Sequence, residues 1–201
     1  DGWCYSFKAW RYPAAFFRQL QNALLLQSEQ GRQRIAAAWH KLPVGQTVRL
    51  YVDGDMDSLA TMRFWWSLLK QRQDLAAYGY SKSWGLFLGF AKTGEEWPAN
   101  YTLNLSSGSK YGEAVRLKME ALPIVRGDFI AVPAEAKMPN RREAASEWAE
   151  WAKALKASAK AVGLSGQMFV CPGKCGDCLP KGEHACGSDR FQGVKVLIGI
   201  H

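Results

Sequence analysis

Cys171, Cys175, Cys178 and Cys186 fall within sixteen residues, in a run that opens Cys171-Pro-Gly-Lys-Cys-Gly-Asp-Cys178. Thiolates at this density can wrap several sulfurs round one centre. Gly173 and Gly176 relieve the backbone where so tight a loop takes unusual dihedrals. The chemistry this predicts is metal ligation. Three thiolates spaced C-x3-C-x2-C, with Cys186 as a fourth, form the close grouping that holds a [4Fe-4S] cluster, often with a proline beside a ligand. Zinc (Zn2+) is the alternative. Its Cys4 sites are commonly built from two separated C-x2-C pairs, and only Cys175 and Cys178 form such a pair here. His184 stands close enough to replace Cys186 in a Cys3His zinc site. The grouping favours iron–sulfur over zinc, in a metal-binding loop spanning residues 171–193.

A second set of groups is acidic or hydroxylated. Asp53, Asp55 and Asp57 sit at alternate positions after the apolar run Val48–Val52, where carboxylates bind a divalent cation or work as acid and base. An EF-hand loop is excluded, because Ser58 stands where its glycine belongs and Phe64 where its bidentate glutamate belongs. Asp57 or Ser58 also reads as a helix N-cap. That leaves Asp53 and Asp55, with Lys82, as candidate catalytic residues. Ser81-Lys82-Ser83-Trp84 follows another apolar run. Ser106-Ser-Gly-Ser109 loosely resembles a phosphate-cradling loop but lacks the Gly-Lys-Ser/Thr ending. Ser81, Ser106 and Ser107 are the candidate cofactor-binding hydroxyls.

These residues must be positioned by the elements around them. Pro13 opens a helix through about Glu29, with Phe16, Phe17, Leu20 and Leu24 on one face. A basic helix follows over about 32–40, ended by Pro43 and Gly45. Val48–Val52 reads as a strand, and the helix capped by Asp57 or Ser58 turns Leu59, Met62, Trp66 and Leu69 inward. Leu75–Tyr80, Thr102–Leu105, Asp128–Val132, Met168–Val170 and Val194–Ile200 are further strands. Helices are predicted near 114–120 and over about 142–162, the latter burying Trp148, Trp151, Leu155 and Val162. Strands separated by helices predict parallel βαβ units. The fold class is therefore α/β: a mostly parallel sheet of about six strands with helices, in one domain over residues 1–201; the partial (β/α) barrel-like form is what a family resemblance given below implies. Ligand chemistry in such folds gathers at the carboxyl ends of the strands. Asp53, Asp55, Ser81, Lys82, Ser106, Ser107 and Cys171 all follow strands, which predicts one shared rim with the cysteine loop facing Asp53, Asp55 and Lys82.

The composition sets bounds. The chain has 201 residues, 48% of them hydrophobic, enough for one sizeable core. No apolar run approaches the roughly 20 residues of a membrane span, and no signal-peptide pattern opens the chain. Five cysteines, an odd count, argue against a closed disulfide framework and for a reducing, cytoplasmic setting. A net charge of +8 favours polyanionic partners, nucleic acid first. Nine tryptophans are many for this length. Core packing accounts for most of them, and Trp3, Trp10, Trp39 and Trp84 are the candidates for stacking on bases.

Several segments together resemble the gene product 88 family of phages, plasmids and bacteria: Val48-Arg-Leu-Tyr-Val-Asp-Gly-Asp55, a helix, and Tyr78-Gly-Tyr80-Ser-Lys-Ser-Trp84. Cys4-Tyr5-Ser6 with Trp10-Arg-Tyr-Pro13 and Asn22 resembles that family's early Cys-Tyr-Ala segment, and the cysteine-rich loop with Val196–His201 fits its close. The family carries no assigned reaction. Its early segment is similar to that of radical SAM proteins, partial α/β barrels with a cluster on an early loop. The resemblance therefore implies a partial barrel and admits S-adenosylmethionine as a cofactor. The C-x3-C-x2-C spacing equals the radical SAM spacing, yet here it follows a late strand. It also makes Cys4 a candidate extra ligand.

Three functions are compatible with these residues. The first is an iron–sulfur protein supporting a redox or radical reaction on a nucleic-acid-related substrate. The second is a non-enzymatic module, stapled by a cluster or zinc, that binds nucleic acid or a host protein. The third is a metal-dependent hydrolase using Asp53, Asp55 and His201.

Overall fold

A computed structural model of the chain describes residues 10–179 and 182–200. The elements run α1 (Pro13–Gln27), α2 (Glu29–His40), β1 (Thr47–Arg49), α3 (Leu59–Gln71), β2 (Ala76–Ser81), α4 (Trp84–Ala91), β3 (Tyr101–Ser106), α5 (Glu113–Glu120), β4 (Val125–Pro133), α6 (Ala145–Ala161), β5 (Met168–Val170) and β6 (Lys195–Ile200). Two short 3-10 turns, Ala185–Gly187 and Asp189–Phe191, interrupt the cysteine-rich segment. All strand pairs are parallel, in the order β1-β2-β3-β4-β6-β5, and the sheet curves into a half-barrel.

Local sequence accounts for most boundaries. Ser28 separates α1 from α2 because its hydroxyl accepts the Gly31 N–H at 3.0 Å, an N-cap that starts a new helix. Ser58, rather than Asp57, caps α3 through the Thr61 N–H. β1 ends three residues short of the apolar run that predicts it, since Tyr51 turns to φ 54°, the only left-handed non-glycine among the described residues. Helix α4, Trp-Gly-Leu-Phe-Leu-Gly-Phe-Ala, was not predicted: it is apolar nearly throughout, so no period marks it.

The sheet's two faces have different coverings. Ala77, Leu103, Leu105 and Val125 pack with Met62, Leu69, Phe87 and Phe90 beneath α3, α4 and α5. Val132, Val170 and Leu197 pack with Leu155 and Ala159 of α6. Each fully buried Leu, Met or Phe stabilises the fold by about 1.5–3 kcal/mol. The intervening positions (Tyr78, Tyr80, Asn104, Arg126, Phe129, Phe169 and Val196) face the opposite, concave side, as strand alternation requires. A register shift near Gly127 (φ 154°) lets Arg126 and Phe129 share that side although three residues apart.

Topology dictates what covers the concave face. From β1 to β4, and on through α6 to β5, the chain always moves one way across the sheet, so right-handed crossovers put every connecting helix on the convex side. From β5 it steps back to insert β6 beside β4. The same handedness then sends this last crossover, residues 171–194, over the concave side. This corrects the expectation that the cysteine loop stays on the carboxyl rim. It leaves the rim at Cys171, where the Cys171 N–H binds Leu197 O, and ends below β6, where the Gly193 N–H binds Arg126 O.

Candidate metal centre on the concave face

None of the four loop cysteines is in a disulfide; Cys178 and Cys186 are buried, Cys171 half-buried and Cys175 exposed. They are close enough to disfavour one another's thiolates. Burial pushes the Cys171 thiol up to about 12; the Gly173 N–H opposes this, and neighbouring Cys186, Cys178 and Cys175 add to it. Burial likewise raises Cys186 to about 11, against a hydrogen bond from the Tyr80 hydroxyl and the attraction of Arg126. Cys178 is raised for the same first reason. Gly173, Gly176 and Gly182, at φ 82°, 89° and 77°, supply the left-handed turns the loop needs.

The sheet presents aromatic rings and cations to these sulfurs. Arg49 at the end of β1 donates through Nη1 to Cys175 Sγ at 3.5 Å and through Nη2 to Val52 O, and its guanidinium lies 4.7 Å from the Tyr80 ring centre. The Tyr78 hydroxyl meets His184 Nδ1 at 2.8 Å, and Gly187 lies so close to the Tyr78 ring that a side chain there would collide with it. Asn104, fully buried on β3, donates from Nδ2 to Cys186 O at 2.9 Å and to Gly79 O at 3.1 Å, while its Oδ1 accepts Arg126 Nε at 2.7 Å. Arg126, 1% exposed, spends its other N–H groups on the carbonyls of Phe191, Val194 and Asp128. One buried amide thus holds both the Cys186 turn and the arginine that pins the loop's exit. Behind the loop, Arg142 pairs with Asp177 Oδ1 at 2.6 Å and Arg141 donates to Asp177 O while lying over Trp148.

Among the described residues, no group of three or more His, Cys, Asp or Glu side chains is arranged to hold a metal ion. The donor set nevertheless suits one chemically: four unbridged cysteines in one glycine-relieved loop, with Arg49 and Arg126 beside them. His184 has its Nδ1 engaged by Tyr78, whereas Cys186 is fixed by Asn104 and Tyr80. Cys4 and His201 lie outside the described residues.

The other sequence-predicted residues form a neighbouring but separate group. Asp55 is the anchor of the strand ends: Oδ2 accepts from Ser81 Oγ, Lys82 N and Ser83 N at 3.1, 2.6 and 3.0 Å, and Oδ1 accepts from Met56 N. Burial pushes its carboxyl up while these donors pull it down. Asp53 holds one buried oxygen without a hydrogen-bond partner. Trp84 is buried and donates to Ser81 O, a packing role in place of the predicted ligand contact. Ser106 and Ser107 line a cavity of about 270 Å³ with Ser109, Arg116, Asp128 and Lys195. Ser107 Oγ accepts the Ala131 N–H there. That cavity also touches Leu105 and Ile130 of the helix-side cores, so the structure does not bring the serines to the cysteines.

The family model described as gene product 88 matches residues 1–192. The chain belongs to the gene product 88 family. No curated protein and no solved structure matches it. The match takes in every strand of the half-barrel but β6, and all four loop cysteines of this gene product 88 chain. Among the described residues no helix is long and apolar enough to cross a membrane. Sequence reading missed Arg49, Tyr80, Asn104 and Arg126. Their one signal was polar or aromatic residues alternating with apolar ones in strands buried on both faces.

Proposed function

We propose that this gene product 88 chain is an iron–sulfur protein whose centre is held by Cys171, Cys175, Cys178 and Cys186 against the concave face of the half-barrel. The observation that carries the reading is the crossover itself. Residues 171–194 form a long connection with only two short turns of regular structure, laid over a buried surface and carrying four unbridged cysteines. Long irregular segments inside compact domains are usually either functional or disordered. As free thiols, Cys171 and Cys186 stay protonated at neutral pH and add only small apolar surface; bound to metal they are thiolates that order the loop. A cluster supplies one-electron redox chemistry when bound. The residues' own contributions are definable. Arg49 and Arg126 bring positive charge to the sulfurs, the Tyr80 hydroxyl hydrogen-bonds Cys186, and the Arg142–Asp177 pair closes the loop's outer side. The positive balance of the chain makes a nucleic-acid-related substrate the natural class, and a salt-dependent mobility shift checks that part.

Anaerobic purification followed by iron, acid-labile sulfide and zinc analysis tests the reading. Iron and sulfide with broad visible absorption support it. Stoichiometric zinc keeps the ligands and removes the redox role. A protein that takes up neither on reconstitution refutes the centre altogether. Cys175→Ala, the exposed ligand, should lose the metal with the least disturbance of the fold.

A further inference from the structure

Arg126 is a buried guanidinium whose polar contacts are all with neutral groups: Asn104 Oδ1 and the carbonyls of Phe191, Val194 and Asp128. Among the described residues it forms no ion pair with a carboxylate. A buried charge without a counter-charge is strongly unfavourable, and carbonyls satisfy its hydrogens without cancelling it. Burial works against its charge, and of the groups around it the Cys186 sulfur, once a thiolate, would do most to favour it, ahead of Tyr80 and Asp128. Asn104 ties the two sides together, since the same amide holds Arg126 Nε and the Cys186 carbonyl.

We infer that Arg126 is the resident counter-charge of the cysteine centre: the buried cation, set in place by Asn104, makes the loop selective for an all-thiolate, net-negative centre. This rests on the reading that the loop binds metal. Four thiolates around a zinc ion or a [4Fe-4S] cluster leave net negative charge, and Arg126 supplies compensation that water cannot reach. A Cys3His zinc site carries one negative charge, so with Arg49 also at Cys175 one of the two cations would be left uncompensated, whereas an all-thiolate centre carries two. Arg126 is thus a positioning residue: it orients Cys186 through Asn104 and acts on the sulfurs by its field.

The test compares Arg126→Gln and Arg126→Lys with the unsubstituted chain, each in its metal-loaded form and after removal of metal under reducing conditions. Metal retention is read by competition with a chelator, and stability by thermal unfolding of both forms. Loss of an outer-shell partner typically weakens metal binding about 10–100-fold. Arg126→Gln should do so, and Arg126→Lys, which keeps the charge, should recover most of the loss. The stripped Arg126→Gln protein should unfold no more readily than the stripped parent, because it no longer buries an uncompensated cation. Equal destabilisation of loaded and stripped forms, with Lys no better than Gln, would mean that Arg126 only pins the loop exit. Should Arg126→Gln fail to fold, Asn104→Asp poses the same question with the guanidinium intact. A carboxylate at 104 competes for the cation and should weaken retention by a similar factor; undiminished retention overturns the inference. If the unsubstituted chain itself binds no metal, the centre and its counter-charge fall together. If the chain binds metal and the variants retain it as well, only the counter-charge falls.

Discussion

Replacing Asn104 by alanine removes three hydrogen bonds from one fully buried point. The Nε–H of Arg126 loses its acceptor at 2.7 Å, and the carbonyls of Cys186 and Gly79 lose donors at 2.9 and 3.1 Å. A charged donor left unpaired inside a protein costs about 1.5–3 kcal/mol, and each neutral bond contributes about 0.5–1.5 kcal/mol. Allowing for partial relaxation of the backbone, the loss is about 3–5 kcal/mol. Against a typical total of 5–15 kcal/mol, that is a large share. Equilibrium urea unfolding followed by tryptophan fluorescence measures it, and thermal unfolding should show a fall of roughly 6–20 °C for a chain of this size. The loss should appear in the metal-free protein too, since these bonds do not depend on the centre. A loss below about 1 kcal/mol would refute the reasoning, because it would mean that Arg126 and Cys186 find other partners readily and that the amide does not organise the loop.

Three further outcomes follow from named contacts. Asp55→Ala strips the acceptor from Ser81, Lys82 and Ser83 and should lower stability by about 2–4 kcal/mol, while metal content stays unchanged; a selective loss of metal would place Asp55 in the centre instead. Gly199→Ala drives a Cβ into the Trp151 indole, whose N–H binds Ala136 O at 3.0 Å, so unfolding should become easier by about 1–3 kcal/mol with a change in tryptophan emission; an unaltered spectrum would show that the indole has room to move. In the stripped, reduced protein, alkylation followed by peptide mass mapping should label exposed Cys175 first. Cys171 and Cys186 should be slowest, because burial raises them to about 12 and 11 and keeps the reactive thiolate scarce until the pH nears those values; equal rates at all four would contradict the packing described.

The parallel α/β architecture was legible because Met168-Phe-Val170 is a short apolar run and Thr102–Leu105 alternates polar with apolar residues, each with glycine, serine or proline nearby, and helices with clear periods separate the strands. Where a period was hidden, the reading slipped. Gly127 breaks the alternation of β4, so its first three residues went unread, and α4 has no polar face to mark it. The cysteines announced themselves by spacing alone. Their partners did not, because Asn104 and Arg126 look in sequence like solvent-facing positions of a half-exposed strand. Only the insertion of β6 between β4 and β5 turns that face into an interior, and strand order is a long-range property that no local pattern carries. Asp53 and Asp55 illustrate the converse: carboxylates after a strand draw the eye, yet Asp55 has its oxygens filled by the turn it anchors.

The insertion of β6 also sets the order in which the chain can assemble. Strands β1 to β4 each find their partner as soon as the next strand is made, so that half can grow step by step. β5 cannot join that growing sheet when it is made: among the described residues it pairs with β6 alone, the strand that follows the cysteine crossover. Until Lys195–Ile200 emerges, β4 keeps an open edge, β5 has no strand to pair with, and α6 has only the Val132 side of β4 to pack on. The β4–β6 contacts, which span α6, β5 and the crossover, have the largest sequence separation of any strand pair in the sheet, and such contacts form late and slowly. During that interval the thiols are accessible to oxidants and to any metal ion present. The strand that closes the sheet ends the exposure of Cys178 and Cys186 and leaves Cys175 open, which makes its pairing the step that separates the four thiols into covered and accessible ones.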